Sequence, residues 1–225
     1  MERKFWSEMA KRTDPYIPGL QVNDQQIIKL NTNENPYPPS PRVIEAIQAE
    51  VGKLPLYPSP TADALRQTIG EFYGLDQENV FIGNGSDEVL AFSFMAFFNP
   101  DKAIRYPAIT YSFYPVYAKL FNIPVEEIDL NEDFTIPVEA FFESEGGVIF
   151  PNPNAPTSIY LPLDDVRRIL ENNRDQVVIV DEAYIDFAGS SAATLVKEYE
   201  NLLVIQTTSK SRSLAGLRVG FALGQ

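Results

Sequence analysis

From residue 80 onward, short apolar runs alternate with amphipathic segments. The runs are Val80–Gly83, Ala103–Tyr106, Val125–Leu130, Gly147–Phe150, Val177–Val180, Leu202–Gln206 and Val219–Leu223. Each is strand-sized, and the segments between them, Ser86–Phe98, Tyr111–Phe121, Leu163–Asn172 and Ala192–Tyr199, have helical spacing. Strands alternating with helices predict an α/β fold: a mostly parallel seven-stranded sheet with helices on both faces. Val177-Val178-Ile179-Val180 and Leu202-Leu203-Val204-Ile205 are apolar at every position, as strands covered on both faces must be. The last run follows its predecessor after only a dozen residues. That is short for a helical crossover and leaves an antiparallel course open.

The first 40 residues follow no such rhythm. Prolines and asparagines recur through Asn31-Thr32-Asn33-Glu34-Asn35-Pro36-Tyr37-Pro38-Pro39, which predicts an irregular arm over residues 1–40 and a domain over 41–225. Ser40-Pro41 offers a helix start, followed by Val43, Ile44, Ile47 and Val51 on one face. A second helix is expected from Thr61, with Leu65, Ile69 and Phe72 on one face and Gly74 as its stop.

Composition narrows the chemistry. The 225 residues carry 18 basic and 31 acidic side chains, a net charge of −13, which disfavours nucleic acid and anionic membranes as partners. No apolar stretch approaches the roughly 20 residues of a membrane span, and the N-terminus lacks a signal peptide's apolar core, so a cytoplasmic protein is expected. Cysteine and histidine are both absent. Thiolate catalysis, serine–histidine triads and sites built on cysteine or histidine metal ligands are excluded, and no metal site is expected. Acid–base work falls to Lys, Tyr, Asp, Glu or an imported cofactor.

In an open α/β sheet, ligands bind at the carboxyl ends of strands. Three such ends here are chemically loaded. Gly83-Asn84-Gly85-Ser86-Asp87-Glu88 opens a helix, and its free amides suit a phosphate, although taken alone it reads more readily as a plain strand-to-helix turn. Asp181 follows four apolar residues and needs a cationic partner, through a salt bridge or a protonated heterocycle. Lys210, beyond another apolar strand, is a solvated surface lysine or a partly desolvated nucleophile for carbonyls. Arg218 would add cationic charge or hold a phosphate. Tyr111 is a core ring or a platform for a flat ligand. Asn152-Pro153-Asn154-Ala155-Pro156-Thr157 is a rigid turn or presents an amide. Taken together on one sheet edge, these groups match the needs of pyridoxal phosphate: an amine for its aldehyde, an anion for its ring nitrogen and a cradle for its phosphate.

With Leu30-Asn31-Thr32-Asn33-Glu34-Asn35-Pro36, Tyr57-Pro58, Gly85-Ser86-Asp87-Glu88, Asp181-Glu182-Ala183-Tyr184, and Ser209-Lys210 followed by Leu214-Ala215-Gly216-Leu217-Arg218-Val219-Gly220, the chain resembles the fold-type I pyridoxal-phosphate-dependent aminotransferases. Within them it is most similar to the histidinol-phosphate branch. The resemblance implies a role for each residue. Lys210 would hold the cofactor as a Schiff base and shuttle protons. Asp181 would pair with the pyridine nitrogen, Tyr184 would bond the ring hydroxyl and Tyr111 would stack on the ring. Ser86, Asp87, Ser209 and Arg218 would bind the phosphate. Tyr57 would reach the site of a neighbouring subunit in a homodimer, and Tyr16 would approach the substrate. The implied reaction exchanges an amino group between histidinol phosphate and 2-oxoglutarate.

Two positions depart from the family pattern. Ala155 stands where an asparagine usually binds the ring hydroxyl, with Asn154 one residue earlier as the substitute, and Ser158 replaces a glycine. The resemblance also implies a C-terminal small domain that these 225 residues do not include, so the expectation is a cofactor-binding framework with little or no turnover. The alternatives are another enzyme of the same fold type, such as an aromatic aminotransferase or a phosphothreonine decarboxylase, and a non-catalytic cofactor-binding fragment.

Overall fold

The computed structural model describes residues 4–13 and 28–225. Among them, seven strands form one sheet: β1 (Val80–Asn84), β2 (Ile104–Pro107), β3 (Val125–Ile128), β4 (Val148–Pro151), β5 (Val178–Asp181), β6 (Leu202–Thr207) and β7 (Val219–Leu223). Their order is β1-β7-β6-β5-β4-β2-β3. All neighbours run parallel except β7, which is antiparallel to both β1 and β6. The alternating side-chain directions of each strand divide the core into two layers. Val148, Phe150, Val178, Val180, Val204 and Phe221 face one layer, where α6 (Leu163–Glu171) contributes Val166, Ile169 and Leu170. Ile149, Ile179, Ile205 and Ala222 face the other, against α4 (Gly85–Phe97) and α5 (Phe113–Phe121) through Leu90, Phe94 and Tyr114.

The expected α/β architecture and the antiparallel last strand are both present. Four local expectations change. The segment Ala192–Tyr199 is not an α-helix: a 3-10 turn covers Ala192–Leu195. The Ser191 hydroxyl caps that turn by accepting from the Ala193 amide, and the Ala192 amide is committed to the Glu182 carboxylate. The arm is not wholly irregular either, because Ser7 caps a five-residue helix, α1 (Glu8–Arg12). The helix expected from Thr61 begins two residues later as α3 (Asp63–Tyr73). Ile69 and Tyr73 pack on the core there while Phe72 faces outward. The helix expected from Tyr111 begins at Phe113. The stripe predicted on α2 (Pro41–Glu50) forms, but Ile44 and Ile47 remain substantially exposed. No helix of the described residues is long and apolar enough to cross a membrane.

Two backbone positions constrain the edge that carries the loaded strand ends. A Cβ at Gly220 would collide with the Ser86 amide and the Gly85 carbonyl carbon, because β7 passes directly beneath the start of α4. Ser158, after β4, takes a left-handed backbone with φ +64°, a region that glycine enters without steric penalty. Gly220→Ala is therefore expected to destabilise the chain by about 1–3 kcal/mol in urea unfolding. Ser158→Gly is expected to stabilise it by about 0.5–1 kcal/mol in the same assay, and a shift in the opposite direction would remove the strain argument.

Candidate active site

The sheet's topology explains why distant residues meet. β1, β5 and β6 end at the same edge, at Asn84, Asp181 and Thr207. Because β7 runs the other way, its first residues lie at that edge too: Val219 pairs with Asn84, and Gly220 with Thr207. Arg218, one residue before β7, therefore joins the strand ends rather than the opposite side. Asp181, Tyr184, Ser209 and Lys210 line one cavity of about 120 Å³ together with Ser86, Asp87, Tyr111 and Arg218. The cavity adjoins an open cleft bordered by arm residues Asn31–Glu34.

Asp181 is the buried anion of this cavity. The Tyr114 hydroxyl donates to Oδ2 at 2.9 Å and the Ala183 amide to Oδ1 at 3.2 Å. No cation among the described residues lies within salt-bridge distance of it. Burial pushes the Asp181 carboxyl up to about 6, and its two hydrogen bonds only partly offset that effect. The same burial, beside the Asp181 and Asp87 carboxylates, raises the Tyr111 and Tyr114 hydroxyls well above the usual tyrosine range. Tyr111 is held by donating to Asp87 Oδ1 at 2.9 Å, and its ring stacks near Phe113 at 5.5 Å.

Lys210 is half-buried and reaches the arm. Its Nζ donates to the Thr32 carbonyl at 2.8 Å and lies 5.6 Å from the centre of the Tyr184 ring. Two more bonds tie the arm to the same neighbourhood. Asn33 Nδ2 donates to the Tyr184 hydroxyl at 2.9 Å, and Asn35 Nδ2 donates to the Ser211 carbonyl at 3.0 Å.

The remaining corner can hold an anion. The 13-residue α4 starts here; the Asn84 side chain does not cap it and Glu88 takes only the Asn84 amide, so the amides that follow are available. Gly85 has φ +80°, and a Cβ on it would strike the Arg218 guanidinium. The guanidinium is thereby drawn over the helix start, where Nη2 also donates to Asp87 Oδ2 at 3.1 Å. Ser209 stands on the other side, its amide donating to Thr207 Oγ1 at 3.1 Å.

Two expected residues do not line this cavity, and a third lies outside the described residues. Asn154 is buried, and its Nδ2 donates to the Ile109 carbonyl and to Thr157 Oγ1, which fixes the loop. It lines a separate cavity with Ile159 and Leu161, while Ala155 lines the cavity of Lys210. Asn154 therefore lies outside the cavity that Lys210 and Asp181 line. Tyr57 is fully exposed and borders none of the cavity. Tyr16 lies outside the described residues. Conversely, Thr32, Asn33 and Tyr114 were not singled out from sequence. Tyr114 follows Tyr111 by one helical turn, a spacing that could have flagged it. The arm contacts span more than 150 residues of sequence and leave no local signal.

The family model described as "Aminotransferase class I and II" matches residues 25–225. This chain belongs to the class I and II aminotransferases. The aminotransferase chain is 71% identical over 221 residues to histidinol-phosphate aminotransferase 1 of Oceanobacillus iheyensis, covering 98% of its own length and 62% of that relative. It is 60% identical to histidinol-phosphate aminotransferase of Clostridium acetobutylicum, covering 98% of itself and 63% of the relative. Among solved structures, histidinol-phosphate aminotransferase from Sinorhizobium meliloti in complex with pyridoxal-5'-phosphate superposes with a TM-score of 0.79 at 22% identity. That match covers 86% of this chain and 55% of the other, and it establishes the shared fold. The chain thus spans somewhat less than two thirds of the relatives it matches.

The titration of Asp181 has a definite sign. Its carboxyl is raised above the unfolded value of 3.8, so the folded chain binds the extra proton and loses stability as pH rises through about 6. Asp181→Asn removes that penalty. In thermal or urea unfolding without added ligand, the variant is expected to be about 1–2 kcal/mol more stable than the parent at pH 8, the gap closing below pH 4. A constant gap across this range would show that the buried charge is not its cause.

Proposed function

We propose that this chain binds pyridoxal phosphate through Lys210 and forms the cofactor-binding part of an enzyme that transfers an amino group between histidinol phosphate and 2-oxoglutarate. The observation that carries this reading is the shared cavity of a buried carboxylate, with no cation beside it among the described residues, and an amine that does not pair with it. The donor set fits the cofactor: an amine for its aldehyde, an anion for its ring nitrogen, an aromatic face, and amides with a guanidinium for its phosphate. The substrate assignment rests on the names of the relatives at 71% and 60% identity.

When bound, pyridoxal phosphate supplies an electron sink for the electrons released at the substrate's Cα. The chain's own residues do the rest. Lys210 would supply the amine for the cofactor's aldehyde and would be the base that accepts the Cα proton. Asp181, fixed by Tyr114 and Ala183, keeps a proton on the ring nitrogen by compensating its charge. Tyr184 places its hydroxyl for the ring oxygen, and Tyr111 covers one ring face. Ser86 and Asp87 amides, Ser209 and Arg218 hold the phosphate. Tyr57, exposed and remote from the cavity in its own chain, is assigned to the site of a second copy, which makes the proposed enzyme a homodimer. Residues 1–40 are read as the arm and 41–225 as the cofactor-binding domain.

The reading is tested by incubating the chain with pyridoxal phosphate, reducing with borohydride and locating the label by peptide mass spectrometry. One label per chain, on Lys210, is expected, and Lys210→Ala should remove it along with the visible absorbance. Label spread evenly over surface lysines would reject the site.

A further inference from the structure

The loop that bears Lys210 is fastened from behind, away from the cavity. Its backbone closes on itself, with the Ser213 amide donating to the Lys210 carbonyl at 3.1 Å and the Leu214 amide to the Thr208 carbonyl at 3.0 Å. The two residues after the lysine turn to a single carboxylate. Ser211 donates its hydroxyl to Asp186 Oδ2. Arg212 Nε lies 3.2 Å from the same oxygen, and Nη2 lies 3.3 Å from Oδ1. Asp186 sits in the 3-10 turn Ile185–Phe187, directly after Asp181-Glu182-Ala183-Tyr184.

Arg212 is gripped on its other side as well. Its Nη2 donates to Gln206 Oε1 at 2.9 Å and to the Tyr73 hydroxyl at 3.1 Å, and its guanidinium lies 5.5 Å from the centre of the Phe221 ring. Gln206 donates in turn to the buried Glu182 carboxylate at 2.8 Å. The planar guanidinium can hold several acceptors at once, which suits it to bridge the exits of β5 and β6. Asp186, Ser211 and Arg212 do not line the cavity. They can influence a bound ligand only indirectly, and the shortest route along the chain is through Lys210, which Ser211 follows.

We propose that Asp186 is a positioning residue that sets where the Lys210 amine stands relative to Asp181, by holding Ser211 and Arg212. The proposal rests on the cofactor reading above and adds to it the group that fixes its covalent anchor. Arg212 is mostly covered, but it keeps Gln206, Tyr73 and the Phe221 ring when Asp186 is changed, so the half-exposed Asp186 contributes modestly to global stability. A small displacement of a reacting group, by contrast, has large chemical consequences. The effect of Asp186 therefore belongs to the cofactor's state and not to the melting temperature.

The test compares the 225-residue chain with Asp186→Asn, Ser211→Ala and Asp186→Glu. Each is titrated with pyridoxal phosphate, the visible absorbance of the bound cofactor is followed against pH, and thermal melting is recorded without cofactor. Asp186→Asn and Ser211→Ala are expected to melt close to the parent. Their affinity for the cofactor should fall by about tenfold and the pH midpoint of its absorbance should move by about one unit, with Asp186→Glu recovering part of both. Parent-like affinity and midpoint in both variants overturn the positioning role while leaving the cofactor site standing. Should Asp186→Asn fail to fold, Ser211→Ala decides alone, since it leaves the Asp186–Arg212 pair in place. A parent chain that takes no cofactor on Lys210 overturns the underlying reading, and this proposal with it.

Discussion

A carboxylate at the end of a strand covered on both faces has to be compensated by something. Asp181 ends β5, where Val178, Ile179 and Val180 are all buried, and its own side chain is nearly inaccessible. Two neutral donors hold it, the Tyr114 hydroxyl and the Ala183 amide. They orient the charge without neutralising it, and the carboxyl accordingly stays raised to about 6. Buried charges persist in proteins when a partner or a function compensates their desolvation. On the proposed reading, the compensating charge belongs to the ligand.

The reversed direction of β7 is what completes the site. A parallel strand in that place would put Arg218 at the far edge of the sheet, away from Asn84 and Thr207. Running antiparallel between β1 and β6, β7 instead enters the sheet beside both of those ends. The same arrangement brings β7 so close under the start of α4 that only glycine fits at position 220. One topological choice thus fixes the basic group and the glycine requirement together, beside the amides that open α4.

The strands were legible because their physics is local. Runs such as Val177–Val180 and Leu202–Ile205 are apolar at every position, and the structure places strands there to within a residue or two. The antiparallel turn of β7 was legible from a short connection. The segment Ala192–Tyr199 was misread because its spacing resembles a helix, whereas its backbone closes in tighter turns, the Val196 amide donating to the Ala193 carbonyl and the Glu198 amide to the Leu195 carbonyl. Asn154 poses a related difficulty. An asparagine beside prolines can face a ligand or brace its own loop, and only the position of the Ile109 carbonyl distinguishes the two. The contacts of Thr32, Asn33 and Asn35 with Lys210, Tyr184 and Ser211 depend on how the arm folds back over the sheet edge, which composition does not encode.

Asp181 and Lys210 share a cavity yet do not form an ion pair. Opposite charges in a partly desolvated space would close on each other if both were free to move. Neither is free. Asp181 is pinned by α5 and by its own following turn, while the Lys210 amine is engaged by the Thr32 carbonyl and its loop is anchored at Ser211 and Arg212. The separation is therefore imposed by the fold and is not the lowest-energy pairing of the two side chains by themselves. A gap held open in this way suits a ligand with an electrophile at one end, for the amine, and a protonated ring nitrogen at the other, for the carboxylate.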